Sequence, residues 1–341
     1  MNILYLSKNM NNYLGASYQY DFLYEISKLC DVIPYGPGYP NFYKKKSLND
    51  ILKSTQKNID LIICGHTFLS DEEGNISTLI PEINLKNSTS IPKIFILNKE
   101  YVNLKFKLDF IKENKFNLCI THHHNYKTYS EITGTKFLFL PFAINKDFFI
   151  NKKYHSKKYD LFFSGILQNL NKNADQGDTR IQIMKKLFIS LSDIPLFKRR
   201  KYKNLNIFWN SIPRNRILNV INQKVLLRQR LAYLDYANTM LNSKLVLNTL
   251  SPMQLVSPRY FETMASRAIV FCENSSIYKK FIDLNYLLTF NSDLNNFDDK
   301  LDEAFELSND ENYLNLMQKY VFENHTWGHR INTFLKEIKN I

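Results

Sequence analysis

Residues 243–273 read SKLVLNTLSPMQLVSPRYFETMASRAIVFCE. Leu245–Asn248 is an apolar run with the length and composition of a buried strand. A loop with two prolines follows, then a helix, then a second buried strand at Ala268–Phe271. Ser257-Pro258 is a strong helix start. Serine at the N-cap can accept a hydrogen bond from an orphan N–H, and proline at the first helical position has none to leave unpaired. That sets Arg259 in the first turn and Glu262 three residues on, along the same helix face. Glu262 is not the third helical residue, which separates it from a capping-box glutamate.

A helix N-terminus at the carboxyl end of a parallel strand presents free N–H groups and a positive dipole end to an anion. Arg259 adds a charge-assisted fork, and Glu262 can accept from a pair of sugar hydroxyls, so the pattern suits a nucleoside diphosphate. A capped helix carrying an i, i+3 surface pair explains the same residues without any ligand.

Ser257–Ala265, with the strand Ile269–Phe271 behind it, resembles the nucleotide-sugar motif of GT-B glycosyltransferases of the group 1, family 4-like kind, nearest their spore-maturation-type branch. The resemblance implies that Arg259 contacts the donor diphosphate and Glu262 the nucleotide ribose, with Ser257, Pro258 and Tyr260 in the same donor site. There are two departures. The family's usual second glutamate, eight residues before Glu262, is Gln254 here. The glycine usual two residues after Ala265 is Arg267, where a left-handed turn would be strained.

The rest of the chain fits this frame. At 341 residues it is long enough for two ordinary domains. Apolar residues at 44% and charged ones at 23% are globular values, which excludes a disordered chain. The net charge of +13 admits nucleic acid, anionic lipid or an acidic substrate as partner. Its basic residues are scattered, with the densest runs at 44–46, 152–158 and 198–203, and no nucleic-acid motif accompanies them. No nucleic-acid partner is expected, and peripheral contact with the inner face of a membrane suits the charge better. Cys30, Cys64, Cys119 and Cys272 lie far apart beside apolar runs and read as free buried thiols in a reducing compartment. Residues 1–20 lack the pattern of a signal peptide and no run approaches eighteen apolar residues, so a cytoplasmic protein is expected.

Through residue 150, short apolar runs alternate with helical patterns, as in a parallel sheet. Met1–Leu6 is the first strand, and the loop after it holds Gly15, where a backbone could lie close to a ligand or simply turn. Later strands end at Gly65-His66, at Asn98-Lys99-Glu100-Tyr101, at His122-His123-His124 and at Pro141-Phe142-Ala143. Ligands of such sheets bind beyond the carboxyl ends of strands, which sends His66, Lys99, Glu100, His122 and His123 toward one crevice. A histidine that merely caps its strand is the plain alternative for His66. Three successive histidines on an extended segment point in opposite directions and cannot all reach one ion, so no metal is expected. Asn98–Tyr101 and Leu140–Ala143 also resemble the N-terminal half of the same branch, and the resemblance implies that His66 borders the reacting centre.

Residues 146–158 read as an interdomain linker. Tyr159–Gly165 then resembles the first strand of the donor domain, ending in a glycine turn at Gly165 open to a phosphate or sugar. Residues 168–178 read as a mobile loop, Arg180 as the start of a helix running to Leu191, and 195–230 as basic and irregular except for the strand Ile207–Trp209. The segment His325-Thr326-Trp327 resembles the end of the branch, with Trp327 as a packing plug and the last helix crossing back.

The expected fold is α/β with GT-B architecture: two Rossmann-like parallel-sheet domains facing a central cleft. An acceptor domain spans 1–150, a nucleotide-sugar donor domain 151–320, and a returning helix 321–341. The expected activity is glycosyl transfer from a nucleotide sugar to a glycan or lipid-linked acceptor. Catalytic roles fall to His66, Glu100 and Arg259, and acceptor contacts to Gly15, Lys99, His122 and His123. The donor nucleotide falls to Gly165, Arg180, Lys244, Ser257, Pro258, Arg259, Tyr260 and Glu262. Charge growing on the leaving diphosphate can be met by Arg259, Arg180 and Lys244 without a metal, and the nucleotide sugar is a co-substrate, so no cofactor is needed. Retention of anomeric configuration is implied by the resemblance alone. A nucleotide-sugar epimerase of the same fold and a non-catalytic sugar-nucleotide-binding protein are the alternatives.

Overall fold

The computed structural model describes residues 1–9, 17–44, 46–69, 77–81, 83–86, 90–149, 156–167, 179–187, 199–202, 205–213, 233–339 and 341. Gly15, the loop 168–178 and most of 195–230 lie outside the described residues, as do 151–155 of the expected linker. The chain divides into two compact units. One comprises Met1–Phe142 with Trp327–Ile341, the other Ala143–Thr326.

The first unit is built on β1 (Asn2–Leu6), β2 (Asp31–Tyr35), β3 (Leu61–Cys64), β4 (Lys93–Leu97), β5 (Leu118–Thr121) and β6 (Phe137–Phe139). All pair in parallel, in the order β2-β1-β3-β4-β5-β6. Every residue of β3, β4 and β5 is buried, which is why these segments read as unbroken apolar runs with no alternation. The helices are α1 (Ser17–Ser27), α2 (Leu48–Ser54), α3 (Leu104–Asn114) and α4 (Tyr126–Thr133). Successive strands change direction of growth between β1 and β3, and that reversal is where a doubly wound sheet opens a crevice at its carboxyl edge.

The second unit begins with α5 (Lys146–Phe149), inside the segment expected to be linker. Its strands are β7 (Tyr159–Leu167), β8 (Arg199–Tyr202), β9 (Leu205–Pro213), β10 (Ser243–Asn248), β11 (Ile269–Glu273) and β12 (Leu287–Phe290), in the order β12-β11-β10-β7-β9-β8. Among these described strands only β8, at the edge, runs antiparallel. Its sequence RRKY carries no apolar run, so the pattern gave no sign of it. The helices are α6 (Thr179–Leu187), α7 (Tyr233–Leu241), α8 (Pro258–Ala265), α9 (Phe297–Leu307) and α10 (Glu311–Asn324). The reversal here lies between β7 and β10.

Residues 243–273 fold as their composition dictates. Leu245, Val246 and Leu247 of β10 are fully buried and pair with Ile269, Val270 and Phe271 of β11. Phe261, Met264 and Ala265 on α8 are also fully buried. The last helix, α11 (Trp327–Ile338), belongs to the first unit and packs on α1: Phe22 lies 6.0 Å from Trp327 and 6.1 Å from Phe334, ring to ring. Among the described residues, no helix is long and apolar enough to cross a membrane.

Candidate functional site

At the carboxyl edge of the first sheet, β3 ends at Gly65-His66. A Cβ at Gly65 would stand 2.6 Å from the Tyr5 hydroxyl, so only glycine lets the chain pass here and turn His66 inward. His66 Nε2 lies 3.0 Å from His122 Nε2, with the two rings stacked at 5.2 Å. His122 Nδ1 is 2.6 Å from the Leu140 carbonyl, which can only accept. In the neutral pair His122 therefore carries its proton on Nδ1, its Nε2 is a lone pair, and His66 must donate its Nε2–H to it. His66 Nδ1 is then an unprotonated acceptor, buried and without a hydrogen-bond partner among the described residues.

Rings close around this dyad. Tyr18 and Phe22 meet His66 at 5.4 and 5.7 Å, and Phe142 and Trp327 meet His122 at 4.1 and 6.2 Å. Burial lowers the His66 pKa well below the usual histidine range, and the charge of His122 would lower it further. Burial also holds His122 down to about 4, against its bond to the Leu140 carbonyl and with help from the Arg330 charge. Arg330, on α11, donates from Nε to the Pro141 carbonyl at 2.8 Å, one residue beyond the carbonyl that fixes His122.

Glu100 follows β4, 2% exposed. Its Oε1 accepts from Thr121 Oγ1 at 2.6 Å, and its Oε2 is buried with no partner among the described residues. Burial raises its pKa, opposed by the Thr121 bond and by Lys107. Lys99 beside it has φ 48°, a strained left-handed conformation for a residue with a Cβ. The buried Lys107 of α3 donates to the Asn98 and Lys99 carbonyls at 2.6 and 3.2 Å, which satisfies the turn this strain creates. His123 leaves the group: its Nδ1 accepts from the Asn125 N–H at 3.1 Å, and its ring stacks on His124 at 4.4 Å. His122 and His123, expected as acceptor contacts, are each 1% exposed. Their rings serve other protein groups because burial at the strand end leaves no open face. Among the described residues, no group of three His, Cys, Asp or Glu side chains is placed to hold a metal ion.

In the second unit, Arg259 and Glu262 lie one turn apart on α8, and Tyr236 of α7 stands between them. Arg259 Nε donates to the Tyr236 hydroxyl at 3.0 Å, and that hydroxyl is also hydrogen-bonded to the Glu262 side chain. Among the described residues no protein group takes the two terminal nitrogens of Arg259. Burial raises the Tyr236 pKa, so the hydroxyl keeps its proton and donates to Glu262. Tyr260, expected beside the donor, instead points into the core, where its hydroxyl meets that of Tyr278 at 2.8 Å. Ser257 holds the extended conformation of an N-cap, but its side chain makes no capping hydrogen bond. The expected serine cap is thus absent, and the helix start keeps only proline's preset geometry.

Other expected donor residues fall in two groups. Arg180 is the second residue of α6, described from Thr179 to Leu187, and the expected end at Leu191 lies outside the described residues. It donates to Thr249 Oγ1 at 2.5 Å and to the Leu250 carbonyl at 3.3 Å, on the loop leaving β10. Glu273, at the end of β11, ties the same place by accepting from Thr179 Oγ1 at 2.6 Å, Leu250 N–H at 3.0 Å and Ser292 Oγ at 2.8 Å. The sequence reading missed both Glu273 and Tyr236, although Glu273 ends a strand whose carboxyl edge was the expected site.

Lys244 must be withdrawn from the donor set. It sits at the amino-terminal end of β10, paired with Asp160 at 2.9 Å, at the opposite end of the strand from its carboxyl edge. Gly165 is also corrected. It lies inside β7, opposite Ser211 of β9, and forms no turn. Arg267 does adopt the left-handed backbone, with φ 53°, and so does Gln254, with φ 55°, so both departures from the motif stand on strained residues.

Residues 195–336 match the family model of glycosyl transferase-like proteins, a span that includes Tyr236, Arg259, Glu262 and Glu273. No curated protein matches the chain by sequence. Among solved structures, HepE of Anabaena in complex with UDP and glucose is similar at TM-score 0.57 and 11% identity, over 100% of both chains. An alpha-glucosyltransferase in complex with UDP and a 13-mer DNA containing a central A:G mismatch gives TM-score 0.61 and 10% identity, over 99% of this chain and 98% of that one. A glycosyltransferase of Rickettsia africae gives TM-score 0.58 and 10% identity, again over 99% and 98%. At such identities the likeness is one of fold. The chain therefore has the two-sheet GT-B fold of glycosyltransferases, with residues 195–336 matching the glycosyl transferase-like family model.

Proposed function

We propose that the chain transfers a sugar from a nucleotide-sugar donor, with UDP as its nucleotide, to a glycan or lipid-linked acceptor. The observation that carries this reading is the Arg259 fork: held at Nε by Tyr236, it leaves both terminal nitrogens open at the start of α8 among the described residues. Glycosyl transfer builds negative charge on the departing diphosphate, and a fixed guanidinium beside a helix N-terminus stabilises that charge more in the transition state than in the ground state. Glu262, one turn on, takes the ribose hydroxyls. UDP accompanies the Anabaena and the alpha-glucosyltransferase structures and is carried to this chain by their shared fold.

We assign the acceptor to the first unit, where Lys99, Glu100 and the buried His66 follow the carboxyl ends of neighbouring strands. The reaction proceeds with retention and without a metal, in the cytoplasm, with the basic surface resting on an anionic membrane face. Surface polysaccharide synthesis is the setting, and the spore-maturation-type branch is the nearest relation by the motif at 257–265.

A nucleotide-sugar epimerase is the second reading. It is favoured by Glu100 and His66, a carboxyl and a neutral imidazole each with one buried atom that has no hydrogen-bond partner among the described residues.

The test incubates the chain with UDP-sugars, with and without glycan or lipid-linked acceptors, and follows UDP. Release that requires acceptor supports transfer. A new donor stereoisomer without UDP release points to the epimerase, and absence of any nucleotide binding in calorimetry overturns both.

A further inference from the structure

We propose that Tyr236 is a positioning residue that couples the diphosphate and ribose halves of the nucleotide site by holding Arg259 and Glu262 through one hydroxyl. This rests on the nucleotide-sugar reading above. The ring of Tyr236 is fixed before any ligand arrives. It packs on Phe162 of β7 at 5.8 Å and belongs to the apolar cluster of Phe162, Met240, Val246 and Ala268. Its hydroxyl therefore has one place to be, and two charged groups converge there.

The direction of the hydrogen bonds follows from the donors available. A guanidinium only donates, so Nε–H gives to the tyrosine oxygen. The tyrosine proton is then free to go to the Glu262 carboxylate, and burial keeps it on the hydroxyl. The arrangement balances one positive and one negative charge across a neutral bridge.

Binding at Nε has a specific effect on arginine. The terminal pair of nitrogens is left pointing away in the plane of the fork, the geometry that grips two oxygens of a phosphate at once. An unheld arginine would have to lose its rotamer freedom on binding, so holding it beforehand raises affinity with no new contact to the ligand. Glu262 is set by the same hydroxyl. A loss at Tyr236 thus loosens both grips together, which a tyrosine that only filled space would not do.

The experiment uses the intact chain and calorimetric titration with UDP, or with whichever of GDP, ADP and CDP binds most tightly. Four proteins are compared: the parent, Tyr236→Phe, Arg259→Lys and the double variant. Tyr236→Phe is expected to weaken UDP about tenfold, the size of one hydrogen bond to a charged group, while its melting temperature stays near that of the parent. In the Arg259→Lys background the same change is expected to cost only about threefold, since lysine has no Nε–H for the hydroxyl to hold and the bond to Glu262 alone is lost. In the parent, the Arg259 Nε–H signal in nitrogen-15 NMR is expected to be protected from exchange with and without UDP, which tests the bond even if a variant fails to fold. Unchanged affinity in Tyr236→Phe, an equal loss in both backgrounds, or an unprotected Nε–H overturns the proposal. A parent that binds no nucleotide overturns the functional reading itself, and this inference with it.

Discussion

The histidine dyad of the first unit and the arginine–tyrosine–glutamate triad of the second occupy the same kind of place, the carboxyl edge of a parallel sheet near its reversal. They solve opposite problems. The dyad is neutral, sealed by aromatic rings, and completed by a backbone carbonyl. The triad is charged, half open, and completed by a side-chain hydroxyl. One sheet edge holds a proton in a fixed position, while the other holds a guanidinium and a carboxylate bridged by a neutral hydroxyl. The first depends on exclusion of water, the second on access.

Four measurements test that contrast. The largest effect is expected on the open side. Arg259→Ala is predicted to weaken UDP by about a hundredfold, near 2.7 kcal/mol, with a further fall in affinity of the parent as salt is raised. If calorimetry shows the variant binding like the parent, the triad is only a surface cluster.

The sealed side is predicted to answer to acid instead. An unfolded histidine takes a proton near pH 6.5, whereas His122 resists until about 4, so the unfolded chain binds more protons between those values. Stability is then fully present above pH 6.5 and lost as pH falls, by about 2 kcal/mol at pH 5 for His122 alone. Arg330 faces the same ring and adds to the effect, and His66 adds a share of the same sign. Urea unfolding at pH 7.5 and pH 5 measures it, and His122→Asn, which keeps a donor for the Leu140 carbonyl, is predicted to shrink the difference.

Backbone strain offers a smaller test. Arg267→Gly relieves a left-handed residue, worth roughly 1 kcal/mol. The ion pair with Glu311 is lost, and since Glu311 is largely exposed that costs under about 1 kcal/mol. A net gain of up to about 1 kcal/mol in unfolding free energy is predicted, whereas the same change at Lys99, next to Glu100, would release strain inside the site. The smallest effect is expected from Glu100→Gln. With burial favouring the protonated acid, the amide is close to an isostere, and a change under about 0.5 kcal/mol in stability at pH 7 is predicted. A loss of several kcal/mol would mean that the carboxylate is ionised.

How much of this was legible follows from where each signal lies. The strands were legible because a fully buried parallel strand writes itself as an unbroken apolar run, as Leu61–Cys64 and Leu245–Asn248 do. The start of α8 was legible because proline fixes it locally. The charged strand β8 left no pattern, and α4, whose N-cap Asn125 makes no side-chain cap, has few apolar positions to mark it. The partnerships at the site were the least legible. His66 and His122 are 56 residues apart and Tyr236 and Arg259 are 23 apart, and which strand ends become neighbours is decided by sheet order, which periodicity does not encode. The misplacement of Lys244 came from the same gap: sequence proximity to the motif hid the fact that a strand has two ends.

The membership of α11 in the first unit has a consequence for synthesis. The unit that contains residue 2 cannot bury Phe22 and His122 against Trp327 until residue 327 has been made, while the second unit, continuous from Ala143 to Thr326, already has all its parts. During translation the order of completion is therefore inverted. The half that emerges first must wait, with part of its apolar surface uncovered, for the half that emerges second to finish, and its closure is a long-range event set by chain length rather than by local propensity.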